Sequence, residues 1–398
     1  MGSITANKQA MKMLISGTVF MFFLGILYIW SVFVIPVSEQ LNWDIDAVKH
    51  TFSFMVFSFA IGILTGGKLQ ARVETPKIAL AGGLLMAAGV FVTAFIPAEI
   101  AWFTYISYGI VSGLGVGITY GMIISSVQKW FPKNRGFANG ICVCAFGFST
   151  VVFAPLTEWL IRFFSLQSTF LILSGAFLTV TLCLFRFING PLETNTAGPA
   201  LSGQPAQKQY LLREVLVTRE FYLITWSLML LCAAFIALNP ALKTLAAERG
   251  LDPAMGTALV MITGVANTLG RLAVPLLSDK IGRNNGALFI LLLTSLCAIL
   301  LCFAGPVPFV ISITLITFCF GGSAGIYPVI TADYFGVKNV SANHGAVLVG
   351  YALSALFFPL IIRATTTGMG KFAALAVSAL LGAVLIVLLK TLKSNQKA

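Results

Sequence analysis

Twelve apolar windows, each long enough to cross a bilayer as a helix, constrain this chain more than any other feature of its sequence. At a rise of about 1.5 Å per residue, roughly twenty apolar residues cross a hydrocarbon core of about 30 Å. The windows predict an all-α membrane protein with twelve transmembrane helices in two six-helix bundles. They cover residues 14–35, 47–69, 78–96, 102–127, 137–161, 169–188, 222–242, 254–277, 287–304, 309–332, 342–362 and 372–389.

A polar segment between the sixth and seventh windows divides the chain into halves. Residues 190–209 are rich in Gly, Pro, Ser, Thr and Gln, which is typical of a flexible linker. We predict an N-terminal bundle over residues 1–189, a cytosolic linker over 190–220 and a C-terminal bundle over 221–398. With both termini placed inside, 18 of the 25 Lys and Arg residues fall in cytosolic segments and six in outer loops. This bias predicts both termini in the cytosol.

Composition excludes several classes of protein. The chain is 58% hydrophobic and only 10% charged, so a soluble protein of this length is excluded. The net charge of +12 does not come with basic clusters and interleaved aromatics, so nucleic acid is not an expected partner. The seven cysteines lie in apolar windows without a metal-binding spacing. We therefore expect no metal, no cofactor and no enzymatic activity, and a lipid bilayer as the surroundings. The first apolar run has no cleavage site after it, so we expect a retained helix.

One cation lies deep in an apolar window. The first charge after Arg271 is Asp279, eight residues on, which places Arg271 about 12 Å inside the helix end. A charge near the bilayer centre costs at least about 2.5 kcal/mol, so a residue that carries one there is expected to have a function. Asn267 lies one turn earlier on the same face. All 13 acidic residues fall in loops or at window ends, so no carboxylate inside the membrane could neutralise Arg271. An organic anion is therefore the expected ligand; a structural arginine that donates to backbone carbonyls of a neighbouring helix is the alternative.

The two halves resemble each other. The stretch 130–140 is echoed at 334–345, and the loop containing Lys68 and Arg72 corresponds to the loop containing Asp279 and Arg283. Parallel six-helix repeats with a substrate held between the halves form one known transporter architecture.

These features resemble the major facilitator superfamily and, within it, the oxalate/formate antiporter family. The narrower resemblance rests on the stretches 24–31, 130–136, 267–271 and 321–336. It implies an alternating-access transporter in which Arg271 binds the substrate. Asn267 would bind a substrate hydroxyl or position the guanidinium, and a hydrogen bond to a neighbouring helix is the alternative. Four tyrosines lie deep in their windows, and Tyr28, Tyr120 and Tyr327 among them resemble the family's aromatic box; a hydrogen bond to a neighbouring helix is the alternative for each of the four. They are Tyr28, Tyr120, Tyr327 and Tyr351. The charged loops of Lys68, Arg72, Asp279 and Arg283 resemble gating loops.

One departure from the family bears on the substrate. Oxalate exchangers of the family carry a lysine in helix 11, whereas this chain has Ser354 near that position. One cation balances one carboxylate, so we expect a monocarboxylate such as lactate, pyruvate or formate. The alternatives are oxalate or another dicarboxylate exchanged across the membrane, and a neutral solute carried by facilitation.

The coupling mode is open between proton symport and anion exchange. His344, at the start of helix 11, is a candidate for proton coupling because histidine titrates near neutral pH; a capping or packing role is the alternative. We expect a monomer in the plasma membrane, which in a bacterium is the inner membrane of the cell.

Overall fold

The computed structural model describes residues 2–70, 72–131, 135–190, 209–303, 305–336, 339–364 and 368–395. Within these residues the chain is helical, and twelve helices are long and apolar enough to cross a membrane, which confirms the predicted number. They are α1 Lys8–Gln40, α2 Ile45–Leu69, α3 Thr75–Thr93, α4 Ala98–Val127, α5 Ala138–Phe163, α6 Leu166–Phe187, α7 Arg219–Glu248, α8 Pro253–Ile281, α9 Arg283–Leu301, α10 Pro306–Phe335, α11 Ala342–Ile362 and α12 Met369–Leu392.

Several helices extend beyond the apolar windows. Helix α7 continues to Glu248, whereas its apolar window ends at residue 242. Polar residues at helix ends remain helical because the backbone continues its hydrogen bonding outside the hydrocarbon. In the part of the linker that the structure describes, a short helix forms at Leu212–Val215. The backbone N–H of Tyr210 donates to the carbonyl of Phe335 (3.0 Å), which attaches this end of the linker to α10. Residues 191–208 lie outside the described residues.

Two helices that reach the centre of the protein are irregular. Helix α1 changes to a 3₁₀ helix over Gly25–Ile29, and α4 begins with a 3₁₀ helix over Ala98–Phe103 and continues as a π-helix over Tyr105–Ser112. Gly25 allows α1 to approach α5 closely at its irregular segment, because a Cβ there would lie 2.0 Å from the carbonyl oxygen of Phe146 on α5. The close approach of α1 to α5 turns Tyr28, on the 3₁₀ segment, toward the protein centre.

Glycines bring pairs of helices into backbone contact within each half. A Cβ at Gly117 of α4 would lie 2.0 Å from the carbonyl oxygen of Phe59 on α2. In the other half, a Cβ at Gly321 of α10 would lie 2.0 Å from the carbonyl oxygen of Asn267 on α8. Small residues permit this packing in membranes.

The halves meet along three helix pairs, α5 with α8, α2 with α11, and α1 with α7. The first pair is antiparallel and forms a continuous seam. Gly147 lies against Thr268, and Gly264 lies against Thr150, at successive levels of this seam. We call the end of the protein that carries the linker the inner end, following the predicted orientation, and the opposite end the outer end.

The predicted orientation has a direct test. A cysteine introduced at Asp252, in the loop before α8, should react with a membrane-impermeant maleimide added outside the cell. A cysteine at Gln204, which lies outside the described residues, should react only after the membrane is permeabilised. The reverse pattern of labelling would show that the orientation predicted from Lys and Arg is wrong.

Candidate functional site

Arg271 lies at the centre of the protein and joins its two halves. It is 3% exposed, and each guanidinium nitrogen donates a hydrogen bond. Nε donates to Asn267 Oδ1 (3.0 Å) on the same helix. Nη1 donates to the carbonyl oxygen of Val143 on α5 (2.9 Å), and Nη2 to the hydroxyl of Tyr28 on α1 (3.1 Å). Two of the three acceptors belong to the N-terminal half, so the guanidinium bridges the bundles.

Only neutral groups accept these hydrogen bonds. None of the four ion pairs among the described residues involves Arg271. The guanidinium carbon also lies 5.3 Å from the centroid of the Phe146 ring and 5.8 Å from that of the Tyr28 ring. Aromatic faces attract a cation without neutralising it. Arg271 is therefore a buried positive charge stabilised only by dipoles and ring faces, which makes an anion a favourable additional partner.

A cavity of about 60 Å³ adjoins the guanidinium. A water molecule needs at least roughly 10–15 Å³ of such space, so the cavity can hold a few groups the size of water. All four candidate tyrosines line it, together with His344, whereas Asn267 lies behind Arg271 and positions its Nε. Binding of substrate by these residues stays a prediction. The lining residues are Tyr28, Phe59, Ile63, Tyr120, Phe146, Leu228, Cys232, Arg271, Phe320, Ser323, Ala324, Tyr327, His344, Leu348 and Tyr351.

The tyrosine hydroxyls differ in what they already bind. The Tyr28 hydroxyl accepts from Arg271, and the Tyr327 hydroxyl lies 3.0 Å from Ser227 Oγ. Tyr351 is 4% exposed, and its hydroxyl makes no hydrogen bond of standard geometry among the described residues, although it lies near enough to the Tyr28 hydroxyl to interact with it. A buried donor without a partner costs about 1–3 kcal/mol. The Tyr351 hydroxyl is therefore a donor available to a ligand in this cavity.

A second cavity of about 50 Å³ continues from the first toward the inner end. His344 and Tyr120 line both cavities, so they stand at the passage between them. His344 Nδ1 lies 3.3 Å from the hydroxyl of Thr331 on α10. The second cavity is otherwise bounded by Ser125 and Asn139 among other residues. The described residues thus outline a path from Arg271 to the inner face, with His344 beside it.

Aromatic side chains close the opposite direction. The rings of Phe235 and Phe320 stack with centroids 3.7 Å apart, and Phe52 lies edge-on to Phe235 at 6.4 Å. Asn239 Nδ2 donates to the carbonyl oxygen of Tyr28 (3.4 Å). A larger cavity, about 420 Å³, lies beyond this barrier at the outer end. Its charged lining is mixed in sign and contains none of the candidate substrate-binding residues, so we place the site at Arg271.

The predicted gating loops show pairing within one half. Asp279 forms an ion pair with Arg283, four residues later. Arg283 Nη1 also donates to Ser278 Oγ (2.6 Å) and to the carbonyl oxygen of Pro275 (3.1 Å). Lys68 and Arg72 are exposed, and no ion pair in the described structure links them to the C-terminal half. A gating role of these loops stays a prediction.

Sequence reasoning missed the walls of the site. Phe59, Phe146 and Phe320 line the cavity, but nothing distinguishes them in the sequence among 33 phenylalanines. The carbonyl of Val143 has no sequence signal at all, because any residue supplies a carbonyl. Ser354 is buried, its hydroxyl has no partner, and it lies three residues beyond Tyr351 on α11 without lining the cavity.

Comparison with known proteins is consistent with this architecture. Residues 15–359 and 227–397 match the model of the Major Facilitator Superfamily. The uncharacterized MFS-type transporter YhjX of Escherichia coli is 26% identical over 348 residues, covering 86% of this chain and 85% of the relative. The oxalate:formate antiporter of Oxalobacter formigenes is 26% identical over 380 residues, covering 89% and 84%. Monocarboxylate transporter 12 of Rattus norvegicus is 27% identical over 325 residues, covering 74% and 66%.

Twelve apolar helices and a family match over most of the chain identify its class. The family consists of transporters and not of enzymes. The chain belongs to the Major Facilitator Superfamily and is a multi-pass membrane transporter.

Proposed function

We propose that this transporter carries small monocarboxylates by alternating access, with Arg271 as the ligand of the carboxylate. The observation that carries the proposal is the buried guanidinium, which bridges the two bundles through neutral acceptors only. A carboxylate fits the planar fork of arginine with two parallel hydrogen bonds. The relatives named for oxalate, formate and monocarboxylates support an organic anion as the substrate class.

Substrate binding would change the contact between the halves. Nη1 and Nη2 are the nitrogens that a carboxylate would engage, and both now donate to the N-terminal half, to Val143 and Tyr28. A bound carboxylate would therefore take over hydrogen bonds that hold the halves together around Arg271. This exchange of partners gives substrate a differential affinity for the conformations of the carrier, which is the requirement for driving a conformational change. The two bundles would then rock about the site.

The cavity favours a small substrate. Its volume is only about 60 Å³. The Tyr351 hydroxyl supplies a donor for an oxygen that Arg271 does not bind. Aromatic walls leave little room for a second charged group. Formate, pyruvate and lactate remain the proposed substrates, with formate the least demanding in size.

Oxalate or another dicarboxylate exchanged across the membrane is the second candidate. It is favoured by the similarity to the oxalate:formate antiporter. The charge of the site argues against a dicarboxylate. Among the described residues, Arg271 and the titratable His344 are the two that can bring positive charge to the cavity, and only Arg271 is permanently charged. A dicarboxylate would leave about one negative charge without a partner, at several kcal/mol.

Two coupling modes fit the site. In anion exchange, a carboxylate on Arg271 would be required for reorientation in both directions. In proton symport, His344 beside the inner path would carry the proton, because it lines both cavities. We further propose a location in the plasma membrane and a monomeric transporter; neutral-solute facilitation is disfavoured by the buried cation.

Tyr351→Phe tests the proposed site. Because the hydroxyl makes no hydrogen bond of standard geometry without ligand, its removal should leave the midpoint of thermal unfolding unchanged or raise it. The same change should weaken monocarboxylate binding about five- to tenfold, the effect of one hydrogen bond to a charged acceptor. The measurement is thermal stabilisation of the detergent-purified protein by increasing lactate, pyruvate or formate, which reports affinity by mass action.

Tyr327→Phe is the matched comparison. Its hydroxyl already contacts Ser227, so its loss should lower the thermal midpoint and change the affinity less than Tyr351→Phe does. A wild-type protein that no monocarboxylate stabilises, at concentrations up to tens of millimolar, would contradict the proposed function. Equal affinity of wild type and Tyr351→Phe would remove Tyr351 from the site.

A further inference from the structure

One ion pair joins the two halves among the described residues. Glu158 Oε1 on α5 lies 3.3 Å from Lys243 Nζ on α7. The other oxygen of the same carboxylate, Oε2, accepts a hydrogen bond from the hydroxyl of Thr257 on α8. The remaining ion pairs each join residues three or four apart in sequence. Glu158 therefore holds two helices of the opposite bundle at once.

The pair lies at the outer end of the seam that contains Arg271. Thr257 precedes Arg271 by fourteen residues on α8, which corresponds to about 21 Å along the helix. At the inner end, Asp279 and Arg283 pair within the C-terminal half, and no ion pair of the described structure crosses between the halves there. The Lys243 side chain is 15% exposed, whereas Glu158 is 40% exposed. The lysine is thus the more enclosed partner.

Opening the outer side must separate α5 from α8, which form the seam, and Glu158 from Lys243 on α7. Lys243 then loses its carboxylate. A cation that is only 15% exposed and has no counter-ion is unfavourable. The proposed substrate carries a carboxylate, the same chemical group as Glu158. The lysine can therefore exchange one carboxylate for another at the outer mouth.

We propose that Lys243 is an outer binding site for carboxylate anions, which Glu158 occupies while the outer side is closed. We call the ion pair Glu158–Lys243, together with the hydrogen bond from Thr257, the latch. An anion arriving from outside replaces Glu158 on Lys243 and thereby releases the latch. The existence of the latch does not depend on which substrate the protein carries, whereas the identification of the arriving anion as a carboxylate rests on the proposed function.

The latch is tested by access to the seam. Thr150→Cys places a thiol at a buried position facing Gly264, halfway between the latch and Arg271. The measured quantity is the rate at which this thiol reacts with an impermeant maleimide added outside. The background rate from the native cysteines, measured in the same protein with Thr150 unchanged, is subtracted. Glu158→Gln and Lys243→Met should each raise this rate about fivefold, the factor expected for a solvent-accessible ion pair. Lys49→Met is the control, because Lys49 pairs with Asp46 on its own helix at the same end.

The outcomes separate a latch from a surface pair. An unchanged rate in both Glu158→Gln and Lys243→Met overturns the latch. A rise of equal size in Lys49→Met would assign the effect to any lost outer charge and would also overturn it. The double variant Glu158→Lys with Lys243→Glu should return the rate toward that of the wild type.

The anion site is tested with the same thiol. External lactate, formate or oxalate, compared with chloride at equal ionic strength, should raise labelling of the protein that keeps Glu158 and Lys243. The rise should be absent in Lys243→Met and should persist in Arg271→Ala. A rise that disappears with Arg271 and persists without Lys243 would place the effect at the central site. That result, or no response to any of the three anions, overturns the outer anion site, while the latch is judged by the variants alone.

Discussion

Arg271→Ala should abolish carboxylate binding and leave a folded protein. The substitution removes the guanidinium that donates to Asn267, Val143 and Tyr28. Binding should fall at least about 100-fold, since two charged hydrogen bonds contribute about 1.5–3 kcal/mol each. Folding should survive because the change also removes a buried charge, which costs free energy in the membrane. Isothermal titration with lactate, pyruvate or formate measures the affinity, and circular dichroism measures the helix content.

Two further variants sharpen this result. Arg271→Lys keeps the positive charge but not the planar fork, so it should bind almost as poorly as Arg271→Ala. Arg249→Ala is the matched control, because Arg249 is a cation at the outer end that lies 4.2 Å from the centroid of the Phe309 ring. It should lower stability and leave affinity unchanged. A carboxylate that binds Arg271→Ala with wild-type affinity would show that the central assignment is wrong.

Oxalate and malonate should stabilise the protein far less than monocarboxylates do. Arg271 balances one carboxylate, and the second charge of a dicarboxylate would lie against the aromatic walls formed by Phe59, Phe146 and Phe320. The unpaired charge costs several kcal/mol, so the dissociation constants should differ by about 100-fold or more. The measurement is the shift of the thermal midpoint across a series of concentrations of each anion at constant ionic strength.

Ser354→Lys should reverse this preference. Ser354 is buried on α11 three residues beyond Tyr351, so the flexible stem of a lysine can extend toward the cavity. A second cation repels Arg271 and provides a partner for a second carboxylate. Ser354→Met, which has a similar length and no charge, separates bulk from charge. Wild-type protein that prefers oxalate to every monocarboxylate would refute the charge argument and leave the family assignment unaffected.

The fold was predictable because hydropathy is a local property. Each window of about twenty apolar residues must form a helix in lipid, whatever the rest of the chain does. The number and order of the spans, the polar segment between halves and the depth of Arg271 therefore followed from the sequence. The glycines of α4 and α10 also indicate close helix contacts, since close helix packing in membranes requires small residues.

The candidate site was only partly predictable. Arg271 and the four tyrosines were identified because polar groups are rare and costly inside apolar windows. The phenylalanines of the cavity were not, since an apolar residue in an apolar window carries no signal. Asn267 was predicted to bind substrate or position Arg271, and the structure shows the second arrangement.

The sequence by itself determined that this chain is a twelve-helix membrane transporter with one deep cation and no acid deep in a window to pair with it. Only the tertiary structure decided what that cation contacts. Tyr28 and Arg271 are 243 residues apart, Val143 and Arg271 are 128 apart, and Glu158 and Lys243 are 85 apart. Such contacts depend on how helices pack and where α1 departs from regular helix, which local hydropathy does not encode. The bridge between the halves at Arg271 and the latch at Glu158 are therefore properties of the packed bundles.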